Sequence, residues 1–251
     1  METATQLESR YGIIKAKSSL PQRDLLVVPH KGGDLIVGYP AFGPDSYPNN
    51  LGEMQKKYSN TGKYPVVSFR EPTISESVSA AAYNFRDMAK KQILDLRWLQ
   101  LGRIVRTSEG VFANPPKDDQ GKIIIDEQVL KSFLNGAEKV NGIYLATDPR
   151  ARDFGFAPYS SFTSGIQDAS DFEEGGLARL LENTEEKSAH NLGEIASKRN
   201  YKSGVNVFRF DKAEKPALRV ASLYSDRDFV NGRLNVDGWY VGGGCAFGVL
   251  D

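Results

Sequence analysis

An α+β fold, built on a mixed and largely antiparallel sheet with three to four packed helices, is what this 251-residue sequence predicts. Hairpin signals stand at both ends of the chain, and strand–helix–strand units occupy its middle. The β–α alternation is not sustained, which argues against a doubly wound parallel sheet. The length suits one domain spanning residues 1–251, and a hydrophobic content of 40% is enough to fill its core.

Tyr11 to Lys17 reads as a first strand. Leu25 to Tyr39 then reads as two apolar β-type runs around Gly32-Gly33, a hairpin, because glycine supplies the positive φ of tight turns. Ala41 to Asn50 is dense in turn formers and predicts a surface loop, followed by a short helix from Leu51 to Tyr58. Tyr64 to Arg70 predicts a strand. Behind it Pro72 blocks helix continuation, and Thr73-Ile74-Ser75-Glu76 is a capping box with Thr73 as N-cap. The helix it starts carries Val78, Ala81, Ala82, Phe85, Met88 and Ala89 at helical spacing, and Ala80-Ala81-Ala82 lets it lie close on a sheet.

Leu94 to Thr107 alternates imperfectly and predicts a strand with a bulge near Trp98 or Gly102. Glu109-Gly110 turns it into Val111-Phe112, and Lys122 to Ile125 reads as a short strand after the Asp119-Gln120-Gly121 turn. Asp126 caps a helix that ends at Asn135-Gly136, and Asn141-Gly142 introduces a strand at Ile143 to Leu145. From Leu177 the positions Leu181, Thr184, Ser188, Leu192 and Ile195 keep helical spacing, with a break at Asn183. Strands are expected at Val205 to Phe210, Ala217 to Tyr224, Arg233 to Val241 and Gly244 to Leu250.

The stretch from Thr147 to Gly176 stands apart, thirty residues long without a sustained helix or strand period. It carries Phe154, Phe156, Tyr159, Phe162 and Phe172, and disordered segments are poor in aromatics. Long loops in compact domains are usually functional. An ordered, aromatic-anchored excursion is therefore expected, and Asp148, Arg150, Arg152, Asp153, Tyr159, Asp168 and Asp171 are the candidate binding residues it displays.

Charge and motif content narrow the function classes. Lysine plus arginine equals aspartate plus glutamate at 32 each, so the basic footprint of a nucleic-acid binder is missing. No run of eighteen apolar residues predicts a membrane span, and the N-terminus lacks the pattern of a secretory signal, which together predict a cytoplasmic protein. A single cysteine, Cys245, excludes an intrachain disulfide, and its apolar context reads as a small buried residue.

Asp153-Phe154-Gly155 spells a kinase metal-binding triplet without the rest of a kinase, and the glycines at 242 to 248 precede no helix that could take a pyrophosphate. His30 at the hairpin tip and His190 on a polar helix face are too few for a histidine-rich metal site. Asp226-Arg227-Asp228 reads as a charged turn.

Carboxylates remain. Asp168, Asp171, Glu173 and Glu174 crowd together, either as a capping box from Ser170 to Glu173 or as a hard-cation site. Arg150 and Arg152 can fork onto an anionic ligand or pair with Asp148 and Asp153, and the local opposite charges favour the pairing.

Two functions follow. The first is a non-catalytic binding or assembly protein that takes a protein partner or small polar ligand on the excursion. The second is a hydrolase or transferase in which Asp148, Asp153, Asp168 and Asp171 converge beyond the Ile143 to Leu145 strand, with or without a divalent cation. The sequence names no catalytic residue, metal ligand or cofactor.

Overall fold

The computed structural model describes residues 20–60, 63–86, 98–197, 204–226, 232–239 and 242–250. The strand expected at Tyr11 to Lys17 lies outside them, as do Met88, Ala89, Arg227, Asp228 and Asn231.

The described chain opens with a hairpin. Strand β1 (Asp24–His30) pairs antiparallel with β2 (Gly33–Tyr39) across Lys31 and Gly32, whose φ values are 46° and 76°. Left-handed backbone at both positions is the primed turn whose twist suits a two-residue hairpin. The segment expected as a loop from Ala41 to Asn50 is structured instead. Strand β3 (Phe42–Asp45) pairs with the later strand at Gly244–Ala246, and helix α1 (Tyr47–Met54) starts inside the supposed loop. Pro48 lies in the first turn of α1, where its missing N–H harms nothing. A residue that reads as a loop former thus starts a helix.

Of the strand expected from Tyr64 to Arg70, only β5 (Val66–Val67) pairs, with β4 (Tyr58–Ser59), while Arg70 bridges to Val249. Helix α2 (Ile74–Arg86) begins where its capping box places it. The Glu76 amide donates to Thr73 Oγ1 at 3.3 Å, and the Thr73 amide donates to Glu76 Oε2 at 2.8 Å. Residues 74 to 82 are buried throughout, so the helix is enclosed rather than one-sided. Small residues permit this: Ser77 Oγ donates to the Leu101 carbonyl at 2.7 Å, and alanines at 80, 81 and 82 let neighbours close in.

The remaining strands are β6 (Leu99–Arg106), β7 (Gly110–Ala113), β8 (Lys139–Val140), β9 (Ile143–Leu145), β10 (Gly155–Pro158), β11 (Gly165–Gln167), β12 (Val205–Phe208), β13 (Ala217–Asp226), β14 (Arg233–Asp237) and β15 (Gly244–Ala246). They run in the order β11-β12-β14-β13-β6-β7-β10-β9-β8, and β3 and β15 join beside β6 to make eleven strands. Pairing is antiparallel except for β12 with β14 and β15 with β6. The expected bulge is present: Gly102 and Gln100 face consecutive residues of β13, which leaves Leu101 extra. The strand expected at Lys122 to Ile125 reduces to one bridge between Lys117 and Ile123.

Six helices are present among the described residues. Helix α3 (Glu127–Ser132) is capped by Asp126, whose carboxylate accepts from the Gln128 and Val129 amides. Helices α4 (Ala169–Glu173), α5 (Gly176–Glu182) and α6 (His190–Ser197) pack with α2 as a group of four, in keeping with the expected count of packed helices. Asn183 makes the expected break, ending α5 at a φ of 51°. The main core lies between this helical group and the sheet, centred on Ile74, Val78, Leu101, Leu180, Leu192 and Leu223.

The excursion from Thr147 to Gly176 is ordered as expected, but it is not structureless. It contains β10 in the body of the sheet, β11 at its edge and the whole of α4. Phe154 and Phe172 are fully buried, Phe156 nearly so, and Tyr159 and Phe162 pack against the main core. Phe154 stacks on Phe112 with ring centroids 5.8 Å apart, which fixes the short loop that precedes β10.

Candidate functional site

The first residues of the excursion fold onto the N-terminus of α2. Two successive turns, from the Ala151 amide to the Asp148 carbonyl and from the Phe154 amide to the Ala151 carbonyl, wrap the loop around buried Ala151. Asp153 then takes a φ of 53°, rare for a residue with a side chain. Its carboxylate explains why the conformation holds. Oδ2 accepts from Thr73 Oγ1 and Ser75 Oγ, each at 2.7 Å, and Oδ1 accepts from Lys31 Nζ at 2.8 Å. Asn114 completes the tie by donating to the Asp153 carbonyl and accepting from the Ile74 amide, both at 2.9 Å.

Glu76 is the second buried carboxylate here. Arg70 grips it with two N–H groups at 2.8 and 2.9 Å, the Thr73 amide donates to it, and Arg152 Nη2 donates to its Oε1. Burial pushes both acids up, but their donors outweigh it: Arg70 and Thr73 for Glu76, and Lys31, Thr73 and Ser75 for Asp153. Both carboxyls therefore sit below their ordinary pKa and stay ionised.

A cleft of about 930 Å³ opens beside this node. Arg70, Arg103, Lys117, Arg150 and Arg152 line it, against the single acid Glu71. Arg103 and Lys117 share that one carboxylate, at 3.3 and 3.1 Å. Leu51, Pro72, Pro115, Pro116 and Ile123 add apolar lining. Arg103 also lies over the ring of buried Tyr47, 5.8 Å from its centroid.

The sequence-derived candidates are not gathered into one site. Arg150 pairs with Asp148, the closest contact being 2.6 Å, as the local charges favoured, with the arginine exposed and the carboxylate partly buried. Arg152 does not pair with Asp153 or Asp148 but with Glu76, because the turn at Ala151 swings it towards the helix. Tyr159 is a strut, its hydroxyl placed 2.9 Å from the Asp211 carbonyl and 3.0 Å from that of Thr107, with burial pushing its pKa up to about 12. Asp168 and Asp171 line a separate depression with Glu174, Ser161 and Thr163.

The convergence of Asp148, Asp153, Asp168 and Asp171 beyond β9 is thereby replaced by three separate placements. Helix α4 intervenes in the chain, and Asp168 is its N-cap residue, so the capping box expected from Ser170 does not form. Among the described residues no three His, Cys, Asp or Glu side chains come together as a metal site. Cys245 is half-buried in β15 rather than fully enclosed.

His30 and His190 line a second cleft, of about 840 Å³. His30 Nδ1 lies 2.9 Å from Ser79 Oγ, and burial, then Lys31, lower its pKa. Ser79 is buried in the middle of α2, so this contact docks the hairpin tip on the helix. His190 pairs with Glu186 at 2.8 Å on the surface. Glu182 accepts from the Asn191 and Leu192 amides and so caps α6 from a distance.

Sequence reasoning located Arg150, Arg152 and Asp153 but missed Arg70, Arg103, Lys117 and Glu71, which come from three other stretches of chain. Only the Thr73 to Glu76 capping box signalled any of this neighbourhood. Among the described residues no helix is long and apolar enough to cross a membrane. Comparison with protein-family models, with curated proteins and with solved structures finds no match to this chain, and the reading of the site rests on its own geometry.

Proposed function

We propose that this chain is a binding protein that takes an anionic ligand into the cleft between α1, the start of α2 and the loop at 148–152. The observation that carries this reading is the sharing of one carboxylate, Glu71, by Arg103 and Lys117, beside the arginines of the excursion. A cation that shares its counter-ion is under-neutralised, and an oxyanion completes it with charge-assisted hydrogen bonds. The cleft volume of about 930 Å³ falls in the range of small-molecule sites.

Acid–base catalysis by carboxylates needs a pair whose pKa values are pushed apart at a common opening. Asp153 and Glu76 are instead both held low and both engaged by several donors, which supports binding over chemistry. Differential scanning fluorimetry with pyrophosphate as probe, against chloride at matched ionic strength, tests the reading. A rise in Tm of about 5–10 °C is expected at a hundredfold excess over Kd, and Lys117→Glu should remove it. An unchanged Tm with pyrophosphate, and with citrate as a carboxylate probe, would overturn it.

A further inference from the structure

The cations of this cleft fall into two sets held by different parts of the chain. Arg103 belongs to β6 and meets Lys117, from the loop after β7, at Glu71. Arg150 and Arg152 belong to the turn around Ala151, with side chains 80% and 55% exposed. Each set can hold an oxyanion without orphaning a buried charge. At Glu71, two cations already share one carboxylate. At Glu76, Arg70 and the Thr73 amide still supply three donors if Arg152 turns away to a ligand. Arg150 gives up only an exposed contact with Asp148, which water replaces at little cost.

Pro72, Pro115 and Pro116 line the same cleft as both sets. Proline offers no N–H, so part of the lining favours carbon over charge. A single inorganic anion would leave most of a cleft of about 930 Å³ unfilled.

Resting on the anion-binding reading above, we propose that the ligand is a small molecule with two oxyanion groups on an apolar frame, one group held by Arg103 and Lys117 and the other by Arg150 and Arg152. Phosphoryl and carboxyl ends share this chemistry, and the probes separate them. Isothermal titration calorimetry at low salt would compare butyrate and methylphosphonate with α,ω-dicarboxylates and α,ω-bisphosphonates of increasing chain length. Once one end is bound, the second binds at a high effective concentration, provided the spacer spans the two sets.

The expected result is an optimum at intermediate length, with Kd about tenfold or more below that of the matching monoanion. Lys117→Gln and Arg150→Gln, both at exposed positions, should each return the best bis-anion to monoanion affinity. A preference for one series identifies the end group. If bis-anions bind no tighter than monoanions at any length, while Lys117→Gln still weakens monoanion binding, the two-point ligand is overturned and the anion site stands. If neither class binds, both are overturned.

Discussion

Asp153 is the residue on which the arrangement of the loop turns. Its φ of 53° carries a steric penalty that three side-chain donors offset. Asp153→Ala removes the acceptor of all three and keeps the unfavourable backbone, so urea unfolding should show a loss of about 2–3 kcal/mol. Asp148→Ala removes the ion pair to exposed Arg150 together with one hydrogen bond from the Arg150 amide, and should cost less than Asp153→Ala.

The pH dependence has a definite sign. Asp153 and Glu76 have folded pKa values below their unfolded values of about 4, so their contribution is complete above that pH and is lost as pH falls through the folded values. The Asp153→Asn variant should therefore lose less stability than the parent between about pH 5 and pH 2. A parallel decline in the two proteins would mean that Asp153 is not held low. The sequence displayed Asp153 as a candidate, but its partners Lys31, Thr73 and Ser75 are brought to it from two other elements, and no spacing rule reaches that far.

Elements meet closely at two glycines of adjoining strands. A Cβ on Gly110 of β7 would lie 2.3 Å from the Ala157 carbonyl oxygen of β10, and one on Gly102 of β6 would lie 2.7 Å from Ile74 Cγ1 at the start of α2. Backbone in the middle of a sheet cannot step aside, whereas an isoleucine side chain can shift in part. Gly102→Ala should cost about 1–3 kcal/mol by overpacking. Gly110→Ala should cost more and weaken the β7–β10 pairing, and equilibrium unfolding of the two variants checks the order. The capping box of α2 and the break at Asn183 were legible in the sequence because both are local backbone chemistry. Helix α1 was misjudged because Tyr47, Asn50 and Met54 earn their helical state from burial against β3 and β15, which composition does not report.

At the scale of the whole molecule, the excursion is part of the sheet rather than an appendage. Residues of β10 hydrogen-bond to β7 on one side and β9 on the other, while β11 pairs on one side with β12. Hydrogen exchange should accordingly find the amides of Phe156 and Ala157 among the slowest, with opening free energies near the global value, and those of β11 faster. Uniformly rapid exchange from 154 to 172 would contradict the fold and remove the support for Arg150 and Arg152. Native-state proteolysis should likewise spare this stretch.

The sequence by itself determined the fold class, a hairpin expected at Gly32-Gly33 whose turn lies one residue earlier at Lys31-Gly32, the start of α2, the division of α5 from α6 and the order of the aromatic stretch. Each follows from interactions a few residues long or from the burial demand of large side chains, and both leave marks in local pattern. Only the tertiary structure decided that Arg103, Lys117 and Glu71 line one cleft with the arginines of the loop, and that the four acidic candidates fall in three separate places. Charge acts between groups brought close in space, and closeness across β6, the loop after β7, the α2 entry and the Ala151 turn is a property of the packed sheet and helices.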